Sequence, residues 1–172
     1  MALVLEGLSR KQQPLSKKQQ SGQSVKQQPP LVLEVLSDSD YLSCRNTRRS
    51  ISGYILRLAG CTISWRSRKQ CSLATSILEA EYMALAIATK QHFWLLRGLT
   101  ELGNPNIQHL LKCDNSGTID LVHNLWIGEC TKHIQVSYHF VRELVKTRTL
   151  TVLHISREHN IVDIYTKALP GP

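Results

Sequence analysis

Two apolar runs that each stop on an aspartate constrain this chain more than any other feature. LVLEVLSD ends at Asp38 and HLLKCD ends at Asp114. Both read as short strands, and between them lies a long stretch of helical period, residues 77–102. It is opened by Thr75-Ser76 and closed by Gly103 and Pro105. In an open α/β sheet the functional crevice lies beyond the carboxyl ends of the strands. If the two strands are parallel neighbours, their terminal carboxylates converge there.

The remaining segments fill in the architecture. YILRLAG and CTISWRS are strand-like runs joined by a hairpin turn at Ala59-Gly60. Residues 116–123 and 130–146 have helical patterns, residues 149–156 form a further strand, and residues 161–167 a short terminal helix. The resulting order, β-β-β-α-β-α-α-β-α, predicts a mixed α/β sheet with helices packed on it.

Converging like charges raise one another's pKa unless a cation sits between them. Carboxylate oxygens suit a hard divalent ion such as Mg²⁺, which binds through few carboxylates plus substrate phosphate oxygens. Glu79, in the first turns of the long helix, and Asp163, which opens the terminal helix, are placed to join Asp38 and Asp114. Such a group would suit a two-metal phosphodiester site. The local pattern leaves alternatives open. An aspartate after a strand is also ordinary turn chemistry, and Asp163 follows Asn160 by three, close to a capping arrangement. Glu79 and Glu81 are two apart and so face opposite sides of the helix, one of them toward solvent. Asp38 and Asp40 share a strand face.

Composition sets the outer bounds. Of 172 residues, 42% are hydrophobic and 20% charged, which is ordinary globular composition. The net charge of +8 points to an anionic partner such as nucleic acid. No run approaches the ~18 apolar residues of a membrane span, and Glu6 interrupts the apolar start, so neither a membrane segment nor a secretory signal is expected. Cys44, Cys61, Cys71, Cys113 and Cys130 form no CxxC pair, which fits reduced thiols in an intracellular protein, in cytoplasm or nucleus. Residues 1–30 carry seven glutamines, three prolines and five basic residues against one acid, without apolar periodicity. They read as a disordered basic tail ahead of a domain at 31–170.

The blocks LEVLSDSDYLSCRNTRRSISGYILRLAGCTISWRSRKQ, SILEAEYMALAIATKQHFWLLRGLTELG, CDNSGTID, TKHIQVSYHFVREL and HNIVDIYTKALP resemble, in order, the ribonuclease H domain of copia-type LTR retrotransposon polyproteins. The resemblance implies a ribonuclease H-like fold, a five-stranded mixed sheet flanked by helices. It also implies hydrolysis of the RNA strand of RNA–DNA hybrids with two Mg²⁺ ions, next to a reverse transcriptase polymerase domain. The family's four metal-binding and catalytic carboxylates fall on Asp38 in SDSD, Glu79 in LEAEY, Asp114 in CDN and Asp163 in VDIYTK. It thus selects Asp38 over Asp40 and Glu79 over Glu81. Leu78, Tyr41 and Leu42-Ser43 depart from the family pattern beside these positions. The alternative to an enzyme is an inactive remnant that still binds nucleic acid, or a fragment that folds poorly.

Arg48, Arg49, Trp65, Arg66, Arg68 and Lys69, with Arg45, are candidate contacts to hybrid phosphates and sugars, or simply a solvated basic face. Asn115 is placed to donate to a sugar hydroxyl or to serve as a turn residue. His159, in the loop before Asp163, is a candidate proton shuttle. Cys130, His133 and His139 lack a fourth ligand at a familiar zinc spacing.

Overall fold

The computed structural model describes residues 31–124 and 135–167. The tail at 1–30, together with Cys130 and His133, lies outside the described residues. Five strands form one mixed sheet in the order β3-β2-β1-β4-β5. They are β1 (Leu31–Asp40), β2 (Ile51–Leu58), β3 (Cys61–Lys69), β4 (Ile107–Cys113) and β5 (Val152–His154). Strands β1, β2 and β3 are antiparallel, while β1, β4 and β5 run parallel. The helices are α1 (Ile77–Glu101), α2 (Ser116–His123), α3 (Gln135–Lys146) and α4 (Asp163–Thr166), the last preceded by a 3₁₀ turn at Arg157–His159.

Position in the sheet explains the strand compositions. Central β1 is covered on both faces, so it reads as a nearly continuous apolar run rather than an alternating one. Val35 joins Tyr54, Leu56 and Leu111 under Tyr82, Leu85 and Ala88 of α1, where α2 and α3 add Val122 and Val141. On the opposite face Leu36 and Ile55 pack with Val162, at the entry to α4. Strand β3 is the outer edge, almost wholly exposed, and carries the polar and basic side chains that discourage edge pairing. Its hairpin to β2 turns at Ala59 (φ 50) and Gly60 (φ 82), where two consecutive positive φ angles favour glycine.

Three boundaries differ from the sequence reading. Strand β1 continues through Asp38 to Asp40, because Asp38 pairs with Gly53 and Asp40 with Ile51 across the ladder. Strand β5 is only the three residues that pair with β4. The terminal helix is a single turn. Among the described residues no helix is long and apolar enough to cross a membrane.

Candidate active site

Parallel pairing of β1 with β4 sets Ser37 beside Cys113, so Asp38 and Asp114 emerge at one edge of the sheet. The third carboxylate comes from α1. One oxygen each of Asp38, Glu81 and Asp114 lies within 4.8 Å of the others. They line a cavity of about 430 Å³ together with Asp40, Tyr41, Asn115, Arg157 and Lys167.

The glutamate that converges with the two aspartates is therefore Glu81, whereas the resemblance implied Glu79. Both are buried, each 7% exposed, so neither faces solvent as expected. Glu79 is committed to the start of α1. Ser76 Oγ accepts from Glu79 N at 3.1 Å, and Glu79 Oε2 accepts from Thr75 N at 2.6 Å and from the Thr75 hydroxyl. This reciprocal cap satisfies backbone donors that a helix start leaves open. Its signature, Ser76-x-x-Glu79, was present in the sequence and is the signal that distinguishes the two glutamates. Half a turn on, Glu81 points to the sheet edge.

Burial beside like charges shapes the electrostatics. Desolvation, with Asp38 and Asp114 nearby, pushes the Glu81 carboxyl up to about 8, against a smaller opposing contribution from Ser39. Desolvation also raises Asp38, to about 6, although the Thr166 hydroxyl donates to its Oδ2 and Lys167 lowers it electrostatically. Glu81 Oε2 has no hydrogen-bond partner among the described residues. A shared set of hard oxygen donors, one of them unsatisfied, fits a divalent cation such as Mg²⁺.

Asp163 stands beside this group and raises Asp38 through its charge, but it is not one of the three converging carboxylates. Its Oδ2 pairs with Lys167 and, at 3.9 Å, with Arg157, while its buried Oδ1 has no partner among the described residues. The turn before α4 is tied to β1 by Asn160, whose Nδ2 donates to Ser37 O at 3.1 Å. Gly53, opposite Asp38, gives α4 room: a Cβ there would lie 2.7 Å from Thr166 Cγ2 and 2.9 Å from Val162 Cγ1. Sequence reasoning missed Gly53, Asn160 and Thr166, since each acts through a contact distant in the chain, and Lys167, whose local pairing with Asp163 reaches the site only because α4 docks beside Asp38.

The basic candidates do not form one surface. Arg48 and Arg49 are exposed in the loop between β1 and β2. Trp65 pairs with Ile55 and stacks on Tyr165 of α4, ring centroids 5.2 Å apart, on the α4 face. Arg66 and Arg68 pair with Tyr54 and Ser52 and project from the α1 face, and Lys69 ends the strand. Asn115 lines the acidic cavity and also caps α2, its Oδ1 accepting from Thr118 N at 2.9 Å. His159 is exposed and bonded through Nδ1 to Ser156 Oγ at 2.6 Å; its neighbour Arg157 lines the cavity instead.

No protein-family model matches the chain. It is 39% identical over 139 residues to the retrovirus-related Pol polyprotein from transposon TNT 1-94 of Nicotiana tabacum, a match spanning 81% of the chain. The chain is a homologue of a retrovirus-related Pol polyprotein. The matched part is 10% of that polyprotein's length. Among solved structures it is similar to RNase H1 from Halobacterium salinarum (TM-score 0.52, 18% identity, 76% of this chain and 90% of that one). It is also similar to LC11-RNase H1 solved in complex with an RNA/DNA hybrid (TM-score 0.53, 18% identity, 77% and 92%). The fold is that of ribonuclease H, and the relatives accord with a copia-type retrotransposon origin.

Proposed function

We propose that this ribonuclease H-like domain hydrolyses the RNA strand of RNA–DNA hybrids with two Mg²⁺ ions in the acidic cavity. The observation that carries this reading is the convergence of Asp38 in the last pairs of β1's ladder, Asp114 just after β4 and Glu81 near the start of α1. Asp163 is the fourth carboxylate in the proposal. Bound there, divalent ions lower the pKa of water and neutralise charge developing on the phosphate.

The chain's own residues hold and orient. Asp38, Glu81 and Asp114 keep their carboxylates in place for the ions, and Thr166 fixes the rotamer of Asp38 by donating to it. Lys167, paired with Asp163, and Arg157 place cations in the cavity wall, where a scissile phosphate is drawn in. Asn115 accepts its capping bond through Oδ1 and leaves its amide nitrogen to donate to a sugar hydroxyl. Arg48, Arg49 and Lys69 contact backbone phosphates without reading sequence, and Trp65 packs against sugar. Because the chain matches a small part of a Pol polyprotein, the proposal includes a reverse transcriptase polymerase domain as partner.

The test is Mg²⁺-dependent cleavage of an end-labelled RNA–DNA hybrid by the full chain. Wild-type protein cuts the RNA strand, and Asp114→Asn retains hybrid binding but loses cleavage by a hundredfold or more. Folded wild-type protein that binds hybrid without cutting it would mean an inactive nucleic-acid-binding remnant.

A further inference from the structure

A second cavity, of about 230 Å³, opens between edge strand β3 and the flank of α1 and shares no lining residue with the acidic one. Its buried members are Ser52, Tyr54 and Gln70, with the half-buried Ile87 of α1 beside them. Its exposed members are Arg66, Arg68, Lys69 and Cys71. The antiparallel register sets Arg66 directly across from Tyr54, and Arg68 across from Ser52, so both arginines stand over this floor.

Charge is uncompensated here. No carboxylate lines the cavity. Among the described residues neither Arg66 nor Arg68 has an ion pair, and Lys69 reaches only Cys44 Sγ, at 3.7 Å. Guanidinium forks without a counter-ion at the mouth of a pocket favour a phosphate, which they bind in bidentate fashion. The floor asks for something different. Gln70 Nε2 donates to Ser52 Oγ at 2.8 Å and to Ala80 O at 2.9 Å, while Gln70 Oε1 has no partner among the described residues. A buried amide oxygen left unpaired is costly; it is closed to solvent here, and an N–H or O–H donor from a ligand would satisfy it once the Gln70 side chain turns toward the cavity. Tyr54 and Ile87 supply an aromatic and an aliphatic wall.

Phosphate at the rim, a flat apolar body in the middle and a hydrogen-bond donor at the floor together describe one nucleotide. The volume lies below the roughly 300–1,000 Å³ of sites that enclose a drug-sized ligand, so the cavity takes the base or sugar of a single nucleotide, with the phosphate outside on the arginines, and excludes a duplex. We propose that this cavity is a mononucleotide site, taking either a free nucleotide or one unpaired nucleotide of a strand, with Arg66 and Arg68 on the phosphate and Gln70 Oε1 on a base or sugar donor. The site does not depend on the acidic cavity being a nuclease.

The test titrates the full chain, in EDTA to keep metal from the acidic cavity, with adenosine and uridine 5′-monophosphates and with inorganic phosphate. Wild-type protein binds at least one nucleotide tenfold or more tightly than phosphate, and the Arg66→Ala/Arg68→Ala variant loses that binding by tenfold or more. Both positions are exposed on an edge strand, so the variant retains the fold, which circular dichroism checks. Cys71, an exposed thiol in the wall, gives a second readout: bound nucleotide slows its alkylation in wild type and leaves it unchanged in the variant. A 5′-phosphorylated hexauridylate that displaces the mononucleotide assigns the site to a strand, and failure to displace it assigns the site to free nucleotide. Equal nucleotide affinity in variant and wild type, or phosphate bound as tightly as nucleotide, would overturn the proposal.

Discussion

Glu79 and Glu81 are equally buried but do different work. One oxygen of Glu79 is taken up by Thr75, and its backbone N–H bonds Ser76. Glu81 faces two aspartates and keeps an unsatisfied oxygen. The substitutions should therefore separate. Glu81→Gln is expected to lower Mg²⁺-dependent cleavage by a hundredfold or more while preserving the helical circular dichroism spectrum. Glu79→Gln, which weakens a helix cap, is expected to cost about 1 kcal/mol in urea unfolding and to leave cleavage by the folded protein within a few-fold of wild type. A reversed pattern would return the catalytic assignment to Glu79. The resemblance in LEAEY aligned a motif with two acids two residues apart, and motif alignment alone cannot choose between them. The Ser76-x-x-Glu79 spacing can, because it assigns one glutamate to the cap.

At the scale of elements, the site depends on α4, a single turn with too few residues to be stable alone. It is held by Asn160 bonding β1, by Thr166 bonding Asp38, by the Tyr165–Trp65 stack, and by close packing over Gly53. A methyl group at Gly53 would meet the Thr166 and Val162 side chains at under 3 Å. Gly53→Ala is thus expected to destabilise the domain by roughly 1–3 kcal/mol, as overpacking does, and to lower cleavage further than its stability loss explains, since Thr166 moves away from Asp38. Unfolding in urea alongside single-turnover cleavage reads both; wild-type values in each would show that α4 docks without this close approach. The elements themselves were legible: the strand runs, the hairpin at Ala59-Gly60 and the span of α1 follow from periodicity and turn residues. The extension of β1 to Asp40 was not, because ladder pairing with β2 overrides the turn preference of SDSD.

For the whole molecule, bringing acids together in a buried edge costs stability when they ionise. Asp38 and Glu81 are raised to about 6 and about 8, so each holds its proton more tightly folded than unfolded. Their contribution is therefore most favourable below the ordinary carboxylate range and is lost as pH rises toward about 8. In EDTA, the Tm of wild type relative to Glu81→Gln should fall between pH 5 and pH 8. Added Mg²⁺ should recover more of it at pH 8 than at pH 5, because only the ionised set binds a cation. A difference that is flat or rises with pH would refute this coupling. The strand runs, the long helix, the basic character and the presence of an aspartate near the close of two apolar runs were determined by the sequence alone, since propensity, periodicity and charge act over a few residues. Which glutamate joins them, how α4 is fastened over Gly53, and the division of WRSRK between two faces of the sheet were decided only by the tertiary structure. Those outcomes depend on register and packing between segments far apart in the chain, which no local pattern encodes.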